Sequence, residues 1–219
     1  QANRALQLAG GEGYLRGHPY EKALRDIRVF PIFEGANDVL RAYIALSGLK
    51  ALGEEVGALR DIDLSEPIHS LGVLAEYVGA RIRRDLRPDR LTRAHPELQA
   101  LTDPVSDQVK RLRQVAESVL RANGRDVVER QFLQKRLADA AADIYAQVAV
   151  LSRVTSILEE QDVRLSGQEL HIAETFCRRA AGRVSSNFDQ IEHNDDDRMV
   201  ALAGLAYRRG AYGYALFED

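Results

Sequence analysis

The sequence predicts an all-α protein assembled from antiparallel helical bundles. Three observations carry that expectation. Apolar residues recur at helical spacing almost throughout, no segment alternates as a half-buried strand would, and the breaks fall at glycine, proline or capping residues. There is no internal repeat and no low-complexity stretch.

Residues 1–9, with Ala2, Ala5, Leu6 and Ala9 on one stripe, read as a helix stopped by Gly10 and Gly11. Tyr14 to Pro19 is expected as a loop. A short helix follows with Leu24, Ile27 and Phe30 inward, and Pro31 ends it by removing a donor and clashing with the preceding turn. Phe33-Glu34-Gly35-Ala36-Asn37-Asp38 then forms a polar turn feeding a helix from about Val39 to Leu52. Val39, Leu40, Tyr43, Ile44, Leu46 and Leu49 make that helix apolar nearly all round, which predicts burial.

Residues 53–65, with Gly53, Gly57 and several acids, are the expected linker between a first unit, 1–52, and a helical bundle, 66–219. Ser65 and Pro67 open a helix whose face carries Ile68, Leu71, Leu74, Val78 and Ile82 before Pro88 stops it. The next helix starts near Asp103-Pro104, carries Val105, Val109, Leu112, Val115 and Val119, and stops at Gly124. A long one from Arg125 to about Asp162 turns Phe132, Ala141, Ile144, Tyr145, Val148 and Leu151 inward. Ser166 and Glu169 form a capping box for the helix carrying Leu170, Ala173, Phe176, Ala180, Val184, Phe188 and Ile191. The last helix has Asp195, Asp196 and Asp197 at its start and Arg208, Arg209 before Gly210, a charge order that complements its dipole.

With 45% hydrophobic and 29% charged residues, the chain can bury a core. A net charge of −3 and a pI near 6.0 argue against a nucleic-acid binder. The single cysteine, Cys177, excludes an intrachain disulfide framework and suits a reducing compartment. No apolar run approaches the roughly 20 residues that span a bilayer. Because residue 1 is glutamine and the only methionine is Met199, we expect a piece of a longer protein whose missing part lies upstream.

Several motifs are decoys. Gly11-Glu12-Gly13 begins like a dinucleotide fingerprint, but the third glycine, Gly17, is one place late and no strand precedes it. His18, His69, His95, His171 and His193 never pair at i, i+4, so no metal site is expected and each reads as a surface or capping residue. Cys177, beside Phe176, reads as a small buried apolar side chain. The triple aspartate lacks the spacing of a calcium loop.

Glu34 is different. It follows Ile32-Phe33 and precedes a glycine that lets backbone approach a ligand. An acid beside bulky apolar residues can be desolvated toward the pKa of a general base, although the helix N-terminus that follows opposes that shift. From pattern alone a solvated capping glutamate is the favoured reading.

Three blocks in order change that balance: Gln7-Leu8-Ala9-Gly10-Gly11-Glu12-Gly13-Tyr14, Tyr20-Glu21-Lys22-Ala23-Leu24-Arg25-Asp26, and Ile32-Phe33-Glu34-Gly35-Ala36-Asn37-Asp38-Val39-Leu40-Arg41. Together they closely resemble the C-terminal helical domain of acyl-CoA dehydrogenases. Residues 66–219 resemble the extra helical region of the family's very-long-chain members, most plainly around Gln134-Lys135-Arg136.

The resemblance implies an FAD enzyme that oxidises a long-chain fatty acyl-CoA to trans-2-enoyl-CoA in fatty acid β-oxidation. It makes Glu34 the base for the α-proton, and Phe33 and Gly35 neighbours of the acyl thioester. It places Ala36, Asn37 and Asp38 beside FAD, and Gln7, Gly10 and Gly11 against the ADP end of FAD held mainly by the neighbouring subunit of a homodimer. Ala36 departs from the threonine common there, so only backbone contact carries over. Electron-transfer flavoprotein is the implied acceptor. The implied location is the cytoplasm of a bacterium, or the mitochondrial matrix of a eukaryote. Arg81, Arg83, Arg84, Arg87, Arg90 and Arg93 form the densest basic stretch of the chain, for which a solvated helix face is the favoured reading and peripheral contact with an anionic membrane the alternative. The competing readings are an acyl-CoA oxidase and a non-catalytic helical module docking a partner or membrane.

Overall fold

The computed structural model describes residues 2–57, 91–160 and 167–210, and every regular element among them is helical. Helices α1 (Ala2–Leu8) and α2 (Gly10–Tyr14) meet at Gly10, whose φ of 62° lies in the left-handed region that glycine reaches without a side-chain clash. The expected stop is therefore a bend, and helix resumes through Gly11 to Tyr14. Helix α3 (Pro19–Arg28) begins on a proline, whose fixed φ suits a first turn. These three helices pack on one another. Leu24 is half-buried, as expected, but Ile27 and Phe30 are exposed because no described element covers that side of α3.

Helix α4 (Asn37–Gly57) runs five residues past the expected end at Leu52, so the first part of the 53–65 linker is helical. A helix-interior glycine such as Gly53 costs only about 1 kcal/mol relative to alanine, too little to stop a helix alone. Burial of α4 is one-sided rather than complete. Ala45 and Leu49 are buried, whereas Val39, Leu40, Tyr43 and Ile44 are exposed. The rest of the linker, the helix expected from Ser65 and Pro67 to Pro88, the arginines Arg81, Arg83, Arg84, Arg87 and Arg90, and Ser166 of the capping box lie outside the described residues.

Among the described residues three long helices pack as a bundle: α5 (Gln99–Asn123), α6 (Gln131–Glu160) and α7 (Gly167–Glu192). Their direction follows from side-chain pairs that descend in register. His95 N–H donates to Thr155, Gln108 bonds Gln147, and Gln134 donates to the carbonyls of Val127 and Val128. Arg183 likewise pairs with Asp143, and Arg136 with Asp196 just beyond α7. The bundle therefore runs up, down, up. Helix α5 starts earlier than the expected Asp103-Pro104, after a 3-10 turn at Pro96–Leu98 in which His95 Nδ1 accepts from Glu97 N–H at 3.3 Å. Pro104 lies inside α5, and a second 3-10 turn, Gly124–Val128, precedes α6.

The main core joins Leu98 and Val105 to Ile144, Leu151, Val154 and Leu158, and these to Ala173, Cys177, Val184 and Phe188. Ala140, Ala173 and Ala180 are fully buried, and such small side chains let the helices approach closely. Burial pushes the Cys177 thiol pKa up. Phe132 and Tyr145, expected inward, are exposed; Tyr145 retains 75% of its surface because α7 covers the face carrying Ile144 instead. A second core seats Ala45 and Leu49 of α4 against Val119, Val127, Leu137 and Ala138. Helix α8 (Asp196–Arg209) closes the described chain at Gly210, φ 70°. No helix among the described residues is long and apolar enough to cross a membrane.

Candidate functional site

Glu34 occupies the apex of a short loop between α3 and α4. Ile32 and Phe33 N–H groups donate back to Val29 O at 2.9 and 3.1 Å, continuing the turn beyond α3. Asn37 N–H then donates to Pro31 O at 3.0 Å, which cinches residues 31–37 into a closed loop at the start of α4. Within it Glu34 has φ 56°, and it is the only non-glycine residue with positive φ among those described. Gly35 has φ 94°, and a Cβ there would meet Leu40 Cδ2 at 3.3 Å. A glutamate held in the left-handed region costs about 1–2 kcal/mol, and such strain concentrates at functional sites.

Glu34 is exposed, so the apolar enclosure expected for it is not built by the described residues. Phe33 stacks obliquely on Phe30, ring centroids 5.7 Å apart, and both rings keep an open side. Ile32 before Glu34, and Val39, Leu40, Tyr43 and Ile44 on the helix that follows, are exposed as well. Ala36 is half-buried, and Asn37 and Asp38 stand exposed on the first turn of α4. Gln7, Gly10 and Gly11 are exposed at the α1–α2 bend, with nothing within 4 Å of a Cβ built on either glycine. The residues singled out in the sequence thus fall into two groups. No hydrogen bond or ion pair joins them among the described residues.

The structure adds a connection that the sequence left unassigned. Arg41 Nε donates to Asp139 Oδ1 of α6 at 2.6 Å, and Arg41 Nη1 donates to Asp38 Oδ1 at 3.0 Å. The Asp139 hydrogen bond is the main influence raising the pKa of Arg41. A signal for it existed. Asp139 and Asp143 stand at i, i+4 in an alanine-rich stretch of α6, and each receives an arginine from another helix, Arg41 and Arg183 respectively. The aspartates at α8 also do more than favour its dipole. Arg136 grips Asp196 through two hydrogen bonds of 2.5 and 2.7 Å, and Arg130 reaches Asp197 at 2.7 Å. Among the described residues no group of three His, Cys, Asp or Glu side chains is placed to hold a metal ion.

Described residues that are all helical in their regular elements, with a strained glutamate turn feeding a long helix and three long bundled helices beyond it, define a class that comparison with known proteins identifies. Residues 96–207 match the family described as ACAD9/ACADV, C-terminal domain, and residues 1–49 match Acyl-CoA dehydrogenase, C-terminal domain. The chain belongs to the acyl-CoA dehydrogenase family, in the branch that carries the ACAD9/ACADV C-terminal domain. It is 34% identical over 197 residues to the very long-chain specific acyl-CoA dehydrogenase, mitochondrial, of Mus musculus, covering 87% of this chain and 29% of that protein. The protein of that name from Homo sapiens is 34% identical over 196 residues, with 87% and 29% covered. A probable acyl-CoA dehydrogenase, FadE10, of Mycobacterium tuberculosis is 27% identical over 214 residues, with 90% and 33% covered. The chain thus spans about a third or less of these relatives' length. A crystal structure of an acyl-CoA dehydrogenase complexed with FAD, from Bacillus anthracis, superposes with a TM-score of 0.67 at 19% identity, covering 99% of this chain and 34% of that one, which shows a shared fold.

Proposed function

We propose that this chain is the C-terminal part of an FAD-dependent acyl-CoA dehydrogenase in which Glu34 removes the α-proton of a long-chain fatty acyl-CoA. The observation that carries the proposal is the loop itself: a glutamate at φ 56° on the apex of a turn closed by Asn37 N–H to Pro31 O. Membership of the family supports it. The residues present fit a flavin and an acyl thioester. Gly10 and Gly11 leave their backbone open to close approach, Asn37 and Asp38 are exposed at a helix start, and the apolar residues on either side of Glu34 in the chain, Ile32, Phe33, Val39 and Leu40, are exposed and free to meet a ligand.

The flavin, when bound, supplies the acceptor for the β-hydride. The chain's own contribution is a base. The α-proton passes to a Glu34 carboxylate oxygen as the α,β double bond forms, yielding trans-2-enoyl-CoA. Phe33 and Gly35 line the acyl thioester, Gly35 because the absence of a Cβ keeps backbone N–H and C=O within reach of it. Ala36, through its backbone, Asn37 and Asp38 would lie beside FAD, and Gln7, Gly10 and Gly11 would reach the ADP end of the FAD held mainly by the neighbouring subunit.

Glu34→Gln in the full-length protein tests this. The amide preserves size but accepts no proton, and loss of a general base lowers rates by about 10²–10⁴-fold. FAD should stay bound while anaerobic bleaching by acyl-CoA nearly stops. Bleaching at the wild-type rate would sink the assignment. The same reading makes the protein a homodimer that passes electrons to electron-transfer flavoprotein, which sedimentation and reoxidation by that acceptor check.

Peripheral contact with an anionic membrane is a second reading. Helix α8 favours it, exposing Met199, Val200, Leu202, Leu205 and Tyr207 ahead of Arg208 and Arg209. Binding of the full-length protein to phosphatidylserine vesicles should weaken steeply with salt. Salt-independent binding, or none, would remove this role.

A further inference from the structure

We infer that Arg41 and Asp139 position the Glu34 loop, transmitting the placement of bundle helix α6 to the candidate base. This rests on the proton-abstraction reading and assigns a function within it to the bundle. The loop ends on the first turn of α4 through Asn37 N–H to Pro31 O and Leu40 N–H to Ala36 O. That turn is poorly seated, since Val39 and Leu40 are exposed and the buried apolar residues described in α4 begin only at Ala45. Arg41 supplies the missing anchor. Its guanidinium spans two carboxylates with different nitrogens, Nε to Asp139 and Nη1 to Asp38, which fixes its orientation in a way a lysine could not. Asp139 is a firm attachment point. It lies between Ala138 and Ala140, both fully buried in α6, and also receives Lys135 Nζ at 3.2 Å. A partly exposed ion pair of this kind, 31% and 24% accessible, adds only modestly to stability. Displacing a catalytic group by about 1 Å, in contrast, lowers rates by about 100-fold, so the pair acts on geometry.

The test is stopped-flow reduction of the full-length flavoprotein by hexadecanoyl-CoA without oxygen, with Glu34→Gln run in parallel. Asp139→Asn should lower the limiting rate at saturation about 10- to 100-fold, leaving half-saturation and FAD content unchanged. Asp139→Glu, which keeps the charge, should recover most of that loss. A wild-type limiting rate for Asp139→Asn, while Glu34→Gln is inactive, would overturn the positioning role alone. Equal losses in Asp139→Asn and Asp139→Glu that track a lowered melting temperature or lost FAD would reduce the pair to a structural tie and also overturn it. Full activity of Glu34→Gln would instead remove the underlying reading.

Discussion

Glu34 holds a backbone conformation that a glycine would adopt freely, and the loop gains nothing in stability from a carboxylate there. That cost sets a test at the scale of one residue. Glu34→Gly relieves the left-handed strain, so the full-length protein should melt at the same or higher temperature, by up to about 1 kcal/mol of added stability. The same substitution should eliminate acyl-CoA-driven bleaching. A variant that is clearly less stable would show that the Glu34 side chain holds the loop, contrary to its exposure. Pattern alone favoured a solvated capping glutamate here, and it was the resemblance of the three sequence blocks that singled Glu34 out. Its φ was not legible in the sequence, since backbone conformation at a turn depends on how Asn37 closes on Pro31.

Among the elements, α8 shows how charged residues of one run take different roles. Asp195 pairs with Arg198 in full exposure, whereas Asp196 meets Arg136 with both side chains 12% exposed. An exposed pair contributes about 0–1 kcal/mol, but removing one partner of a buried pair strands a charge and costs about 3–5 kcal/mol. Asp196→Ala should therefore destabilise strongly in denaturant unfolding, and Asp195→Ala should be near neutral. Similar small losses from both would mean that the Arg136 contact does not fasten α8 to α6. The sequence predicted a helix start here and found one. It could not separate three adjacent aspartates, because helical rotation sends each toward a different neighbour and only Asp196 finds an arginine in a partly dry setting.

For the whole molecule, the main core lies wholly within the bundle, while the second core is shared with α4 through Ala45 and Leu49. We expect residues 66–219 expressed alone to be helical and to melt cooperatively, as a domain with its own core does. They should melt below residues 1–219, because removing the α4 side chains uncovers Val119, Leu137 and Ala138. Circular dichroism of the two chains decides this. A non-cooperative melt of 66–219 would show that the proposed boundary near residues 53–65 cuts through one folding unit.

Local physics settled much of this protein from sequence alone. The stripe Ala173, Ala180, Val184 and Phe188 is buried as its spacing predicts, His95 caps a helical turn, Gly124 and Gly210 end their helices, and Glu34 sits in the turn ahead of α4. Each follows from spacing or backbone chemistry within a few residues. Only the tertiary structure decided that Val39, Tyr43 and Tyr145 stay exposed, and that Asp139 and Asp143 reach Arg41 and Arg183. Periodicity establishes which side of a helix is apolar, but which neighbour covers that side, and which charges meet across the gap, depends on residues far away in the chain.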